Sequence, residues 1–194
     1  DPVMNTDVCL VTLPYATVER PSPALGIFKA GLSLAGIRSQ TVYANFTFAE
    51  EVGLDLYHGI ISTLNDQLLG EWTFSEAAFP GFKGDAEAYF AEMRESVLAL
   101  QSLTGRADIP VAMAGVRARA AGFVEQTVHE VLKFRPRIVA CTSMFQQQCA
   151  TLAFLRRIRE LAPAIVTVVG GSNCVGTMGT VMHREFPWID FVVS

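Results

Sequence analysis

Short apolar runs alternate with helical periods along this chain, and one gap between them is far longer than the rest. DVCLVTLP (7–14) is a continuous apolar run ended by proline, the pattern of a buried strand leaving a sheet. YATVERPSPALG (15–26) is a loop, in which Ser22 caps a helix and Pro23 takes its first position, where a missing N–H costs nothing. The helix carries Leu25, Phe28, Leu32 and Leu34 and ends at Gly36. RSQTVYAN (38–45) is the second strand, completing a βαβ unit with a right-handed crossover. About 90 residues then pass before the third strand, RIVACTS (137–143), where a simple crossover needs far fewer.

That gap is helical in period. One helix is expected from about 48 to 69, then an aromatic turn, EWTFSEAAFPGFKG, then a helix over roughly 85–103. A long helix starts at Pro110, capped by Asp108, and reaches Phe134 before Pro136 stops it. This last helix is the crossover, and the stretch of about 47–107 is an insertion. Regular alternation then resumes with QCATLAFLRRIRELA, AIVTVVGG, GTVMHREF and WIDFVVS. Five apolar strands with helices between them predict one α/β domain over residues 1–194: a doubly wound, five-stranded parallel sheet of order 2-1-3-4-5, Rossmann-like.

Composition narrows the partners. The chain is 51% hydrophobic with a mean hydropathy of +0.32, which hints at surface covered by a cofactor or another domain. No uninterrupted apolar run reaches about 18 residues, so no membrane partner is expected. A net charge of −4 argues against nucleic acid. The start, DPVMNTDVCLVTLP, lacks the basic region of a signal peptide. Cys9, Cys141, Cys149 and Cys174 form no CxxC or CxxxCxxC set, which argues against a zinc or iron–sulfur site. Cys9 and Cys141 read as buried reduced thiols, consistent with the cytoplasm.

Ligands of such sheets sit beyond the carboxyl ends of the strands, where strand order reverses between the first and third. The loops to watch are 14–22, 142–148, 170–176 and the end at Ser194. VVGGSNCVGTMG (168–179) matches neither GxGxxG nor the P-loop. Gly170 and Gly171 serve either a tight turn or a flat ligand lying on bare backbone. Ser143 with Gln146, Gln147 and Gln148 offers neutral hydrogen bonding suited to an amide-bearing ligand, or else a helix cap and a solvated face. His58, His129 and His183 fall within helices rather than in these loops.

The stretches RPSPALGIFKAGLSLAG (20–36), GLDLY (53–57), LLGEW (68–72), TSMFQQQ (142–148) and VVGGSNCVGTMG resemble the N-terminal cobalamin-binding domain of radical S-adenosylmethionine (SAM) enzymes, in the branch that matures ribosomally made peptides. The similarity covers nearly the whole chain. It implies a parent enzyme, a C-methyltransferase, in which a [4Fe–4S] cluster and S-adenosylmethionine belong to a C-terminal radical SAM domain that this sequence does not contain. Its implied partners are that domain and a precursor peptide, and this domain by itself is not expected to catalyse. The DxHxxG motif, whose histidine ligates cobalt in many cobalamin domains, is missing from the loop after the first strand. The resemblance therefore implies cobalamin held with no protein ligand on the metal. Its contacts would come from Pro14, Tyr15 and Ala16, from Ser143, Met144, Phe145 and Gln146, and from Gly170, Gly171, Ser172 and Asn173. The two glycines are expected to be glycine because the ligand approaches their backbone and not only because the turn needs them, with Ser172 and Asn173 bonding its nucleotide tail. The alternative is a cofactor-free module that docks the precursor peptide or the radical SAM barrel. In that role Trp72, Phe74, Phe79 and Phe82 would offer an aromatic surface.

Overall fold

The computed structural model describes residues 6–63 and 68–194. In chain order these form β1 (Val8–Thr12), α1 (Pro23–Leu34), β2 (Ser39–Tyr43), α2 (Ala44–Val52), α3 (Leu54–Ser62), α4 (Leu69–Ala78), α5 (Ala86–Glu92), α6 (Arg94–Thr104), α7 (Ile109–Lys133), β3 (Ile138–Thr142), α8 (Gln148–Leu161), β4 (Val166–Gly170), α9 (Thr177–Glu185) and β5 (Phe191–Val193). The sheet is five-stranded and parallel throughout, in the order β2-β1-β3-β4-β5. This is the expected doubly wound, Rossmann-like α/β fold. β1 is central, with Leu10 opposite both Thr41 and Ala140, and all five of its residues are buried.

Right-handed crossovers distribute the helices unevenly. The step from β1 to β2 runs one way across the sheet and every later step runs the other way. Cys9, Val11, Val139 and Val169 therefore pack into a large core with α7 and α8. The opposite face buries only Val8, Leu10 and Leu25. There α1 stands alone, with Ile27 72% and Leu34 92% exposed. The cap is as expected: the Ser22 hydroxyl accepts from the Leu25 N–H at 3.4 Å, with Pro23 following. The apolar face is narrower than expected, since Phe28 and Leu34 find no second helix to pack against. No helix among the described residues is long and apolar enough to cross a membrane.

The insertion belongs to the large core. Phe48 of α2 lies 5.0 Å from Phe74 of α4 and 4.6 Å from Phe123 of α7, centroid to centroid. The single helix expected from 48 is broken at Gly53, whose φ of +92° is outside the helical region. Part of its expected course, 64–67, lies outside the described residues. The helix expected over 85–103 is two, meeting at Met93. The expected aromatic turn is a helix instead: α4 lies against both α7 and α8, which buries Trp72 and Phe74 and leaves only Phe79 and Phe82 partly exposed. Before α7, the Asp108 carboxylate pairs with Arg106 rather than capping the helix. Cys9, Cys141 and Cys174 are buried, and all four thiols are free. Burial, with the Glu130 charge, pushes the Cys9 thiol up to about 12, and burial raises Cys141 well above the ordinary thiol range.

Candidate functional site

Three loops meet over the carboxyl ends of β1, β3 and β4. The first leaves β1. Its Tyr15 turns into the core beside Tyr57, 5.1 Å between ring centroids, and its hydroxyl lies 2.9 Å from Thr73 Oγ1. Burial pushes this phenol well above its usual range, so it stays neutral. Tyr57 donates its hydroxyl to the Ala16 carbonyl at 2.7 Å, and Asn45 Nδ2 donates to the Thr17 carbonyl at 3.1 Å. Tyr57 belongs to the insertion and Asn45 to the first turn of α2, which leads into it, so this segment holds the loop in place. Asn45 Oδ1 is buried and has no hydrogen-bond partner.

The second loop leaves β3. Its glutamines turn inward. Gln146 Oε1 accepts from the Gly70 N–H at 2.6 Å and its Nε2 donates to the Ile60 carbonyl at 3.3 Å. Gln147 Nε2 donates to the Leu13 carbonyl at 2.6 Å, while its Oε1 accepts from the Met144 N–H at 2.9 Å. Glu71, from α4, accepts the N–H groups of Gln148 and Cys149 at 2.9 and 2.6 Å. It thereby caps α8 from outside, where the side chain of Gln147 at the cap position makes no capping bond. Burial pushes the Glu71 carboxyl up, and these two N–H bonds act against that rise. Ser143 is fully buried, so what the loop presents outward is Met144, 56% exposed, and Phe145, 43% exposed.

The third loop leaves β4 and separates the two glycines. Gly171 has a φ of +119°, and a Cβ there would lie 2.5 Å from the Ser143 carbonyl oxygen. The turn and the neighbouring loop demand glycine at this position whether or not a ligand binds. A Cβ on Gly170 would instead make contacts of 3.3 and 3.5 Å with Val193. Asn173 is likewise engaged internally, donating through Nδ2 to Ser143 Oγ at 3.0 Å and to the Met144 carbonyl. Ser172 is exposed and Pro14 is buried.

The first two of these loops enclose a cleft of about 460 Å³, lined by Thr12, Tyr15, Ala16, Thr142, Met144 and Phe145 among others. A second hollow of about 560 Å³ runs down the open face of the sheet, between α1 and the strands, past Leu10, Phe28, Ala140, Val168, Gly170 and Gly171. The two share Thr142. Arg20 is the one charged residue lining either among the described residues. None of the three histidines lines them, and no group of three or more His, Cys, Asp or Glu among the described residues could hold a metal ion.

Of the sequence-chosen residues, Tyr15, Ala16, Met144 and Phe145 come together in the cleft, and Gly170 and Gly171 line the groove. Pro14, Ser143, Gln146 and Asn173 build the walls behind them. Sequence reasoning had Arg20 and Thr142 within the loops to watch without choosing them as contacts, and it missed Thr12, Asn45 and the groove itself. Asn45 is hidden as the last residue of the expected second strand, whereas α2 begins at Ala44. The chain matches no family model, no curated protein and no solved structure.

Proposed function

We propose that this domain binds cobalamin across the carboxyl ends of β1 and β3, as part of a radical SAM C-methyltransferase acting on a ribosomally made peptide. The observation that carries the reading is that the cleft and the groove lie side by side, with Thr142 lining both. Cobalamin is a broad macrocycle fringed with neutral amides, and its nucleotide tail carries a flat apolar base on a ribose and an anionic phosphate. A cleft whose one charged lining residue among those described is Arg20, beside an apolar groove, suits the amide fringe and the flat base. Thr12, Thr142 and Asn45 would meet the amide fringe, and Asn45 Oδ1 is an acceptor that lacks a donor. Val168, Ala140 and Phe28 would line the path of the tail, with Gly170 leaving room for it. Met144 and Phe145 would lie under the ring, and no imidazole stands ready to ligate the metal. When bound, cobalamin supplies a transferable methyl group. The cluster and S-adenosylmethionine belong to a domain outside this sequence.

A second reading rests on the open face beside α1. A helix apolar on nearly every side is normally buried, and Ile27 and Leu34 are not. A cofactor-free module docking a peptide or the barrel would cover them. Incubation with hydroxocobalamin followed by removal of free ligand separates the two. The cobalamin reading expects a coloured protein with close to one equivalent retained. A colourless protein that binds precursor peptide would replace it with the docking reading.

A further inference from the structure

The first turn of α4 touches both ligand loops at once. The Gly70 N–H bonds Gln146 and the Glu71 carboxylate caps α8. One turn on, Thr73 meets the Tyr15 hydroxyl. A Cβ on Gly70 would lie 2.6 Å from the Tyr15 ring and 2.9 Å from Gln146 Oε1, so the two loops close on this residue from different sides. Gln146 also holds a φ of +61°, a region that residues other than glycine seldom adopt without something to keep them there. Its amide is anchored at both ends by the insertion, to Gly70 of α4 and to Ile60 of α3. On its far side the loop carries the two exposed apolar residues of the cleft, Met144 and Phe145.

We infer that the helical insertion positions the β3–α8 loop, with Gln146 and Glu71 as positioning residues that hold Met144 and Phe145 in the conformation that receives the ligand. The physical reason is leverage. The loop of five residues between β3 and α8 buries no apolar side chain of its own: Met144 and Phe145 are exposed, and its buried residues are Ser143, Gln146 and Gln147. The insertion supplies one acceptor–donor pair through Gln146. It supplies a second tether by placing a carboxylate at the amino terminus of α8, where the helix dipole favours negative charge. Removing either tether frees the segment that forms the cleft floor without touching a ligand directly. The ligand part of this inference rests on the cobalamin reading; the loop part does not.

The test uses two readouts on the same variants, Gln146→Ala and Glu71→Ala. In ligand-free protein, hydrogen exchange is followed at Met144 and Gln147. Their N–H groups bond within the loop, to Gln147 Oε1 and the Met144 carbonyl, and to neither Gln146 nor Glu71 side chains. Exchange at both should rise about tenfold or more while β1 and β3 amides keep parental protection. Glu71→Gln, which retains an acceptor for one α8 N–H, should recover part of the protection. Hydroxocobalamin affinity should fall about tenfold in both alanine variants. Faster exchange confined to Gly70, Gln148 and Cys149 would overturn the inference, because the bonds would then be local only. A loosened loop with parental affinity would overturn it as well. If the parent binds no hydroxocobalamin, the cobalamin reading falls by itself, and exchange at Met144 and Gln147 still decides whether the insertion holds the loop. Should the Glu71 variant fail to fold, the Gln146 variant carries the same decision.

Discussion

At the amino-terminal end of the sheet, Asp7 accepts from Arg38 Nε at 3.0 Å just before β1 and β2 begin. Before β5, Asp190 Oδ2 gathers Arg159 Nη2 at 2.5 Å and the Thr167 N–H at 2.8 Å. The carboxyl-terminal end is built otherwise. There Thr12 and Thr142 face each other at 3.4 Å, Asn45 keeps an unpaired acceptor, and Arg20 is the one charge lining the cleft. Charged pairs stitch the strands where only solvent has to be met. Neutral groups gather where a ligand would have to displace water, because they are far cheaper to desolvate than ions. One sheet thus has a stitched end and a receiving end.

The strongest way to break that division is Gly171, which stands at the receiving end yet is fixed by the fold. Gly171→Ala should cost about 3 kcal/mol or more, from strained backbone and the collision with Ser143. Denaturant unfolding measures it, and near-parental stability would show that the loop can yield. At the stitched end, Asp190→Asn should cost about 2 kcal/mol at neutral pH, since Thr167 and Arg159 lose a charged acceptor. Hydroxocobalamin binding should not change. Burial works to raise the Asp190 carboxyl, but the Thr167 and Arg159 bonds outweigh it and hold the group below its ordinary value of 3.8. A depressed folded value means that its stabilisation is full above the unfolded value and is lost as pH falls through the folded one. The stability gap between parent and Asp190→Asn should therefore close on acidification below pH 3.8. A gap that stays constant there would contradict the pairing. The smallest effect on the fold is expected at Gly170. Gly170→Ala should change stability by under about 1 kcal/mol while weakening hydroxocobalamin about tenfold, because its Cβ enters the groove. Equal binding by variant and parent would remove the groove from the proposed site.

Strand runs such as VCLVT and IVACT are legible because a parallel sheet with helices on its faces favours continuous apolar sequence, and the handedness of crossovers then assigns the faces. The Ser22–Pro23 helix start is legible for the same local reason. α4 was not legible. Trp72, Phe74, Phe79 and Phe82 beside a Pro-Gly pair look like a turn, and only the space between α7 and α8 makes the first part helical. The receiving loop was legible in place but not in direction: Ser143 to Gln148 stood out as polar, and the structure turns Gln146 and Gln147 inward.

What the sequence determined by itself is the parallel α/β sheet, its strand order, the burial of Cys9 and Cys141, and the loops that would flank a site. These follow from residue periodicity, which is local. Tertiary structure alone decided which side chains remain free to meet a ligand. Gln146 finds Gly70 and Ile60, 76 and 86 positions away, and Gln147 finds Leu13 at a separation of 134. A buried amide must be paired, and partners that distant leave no trace in the local pattern.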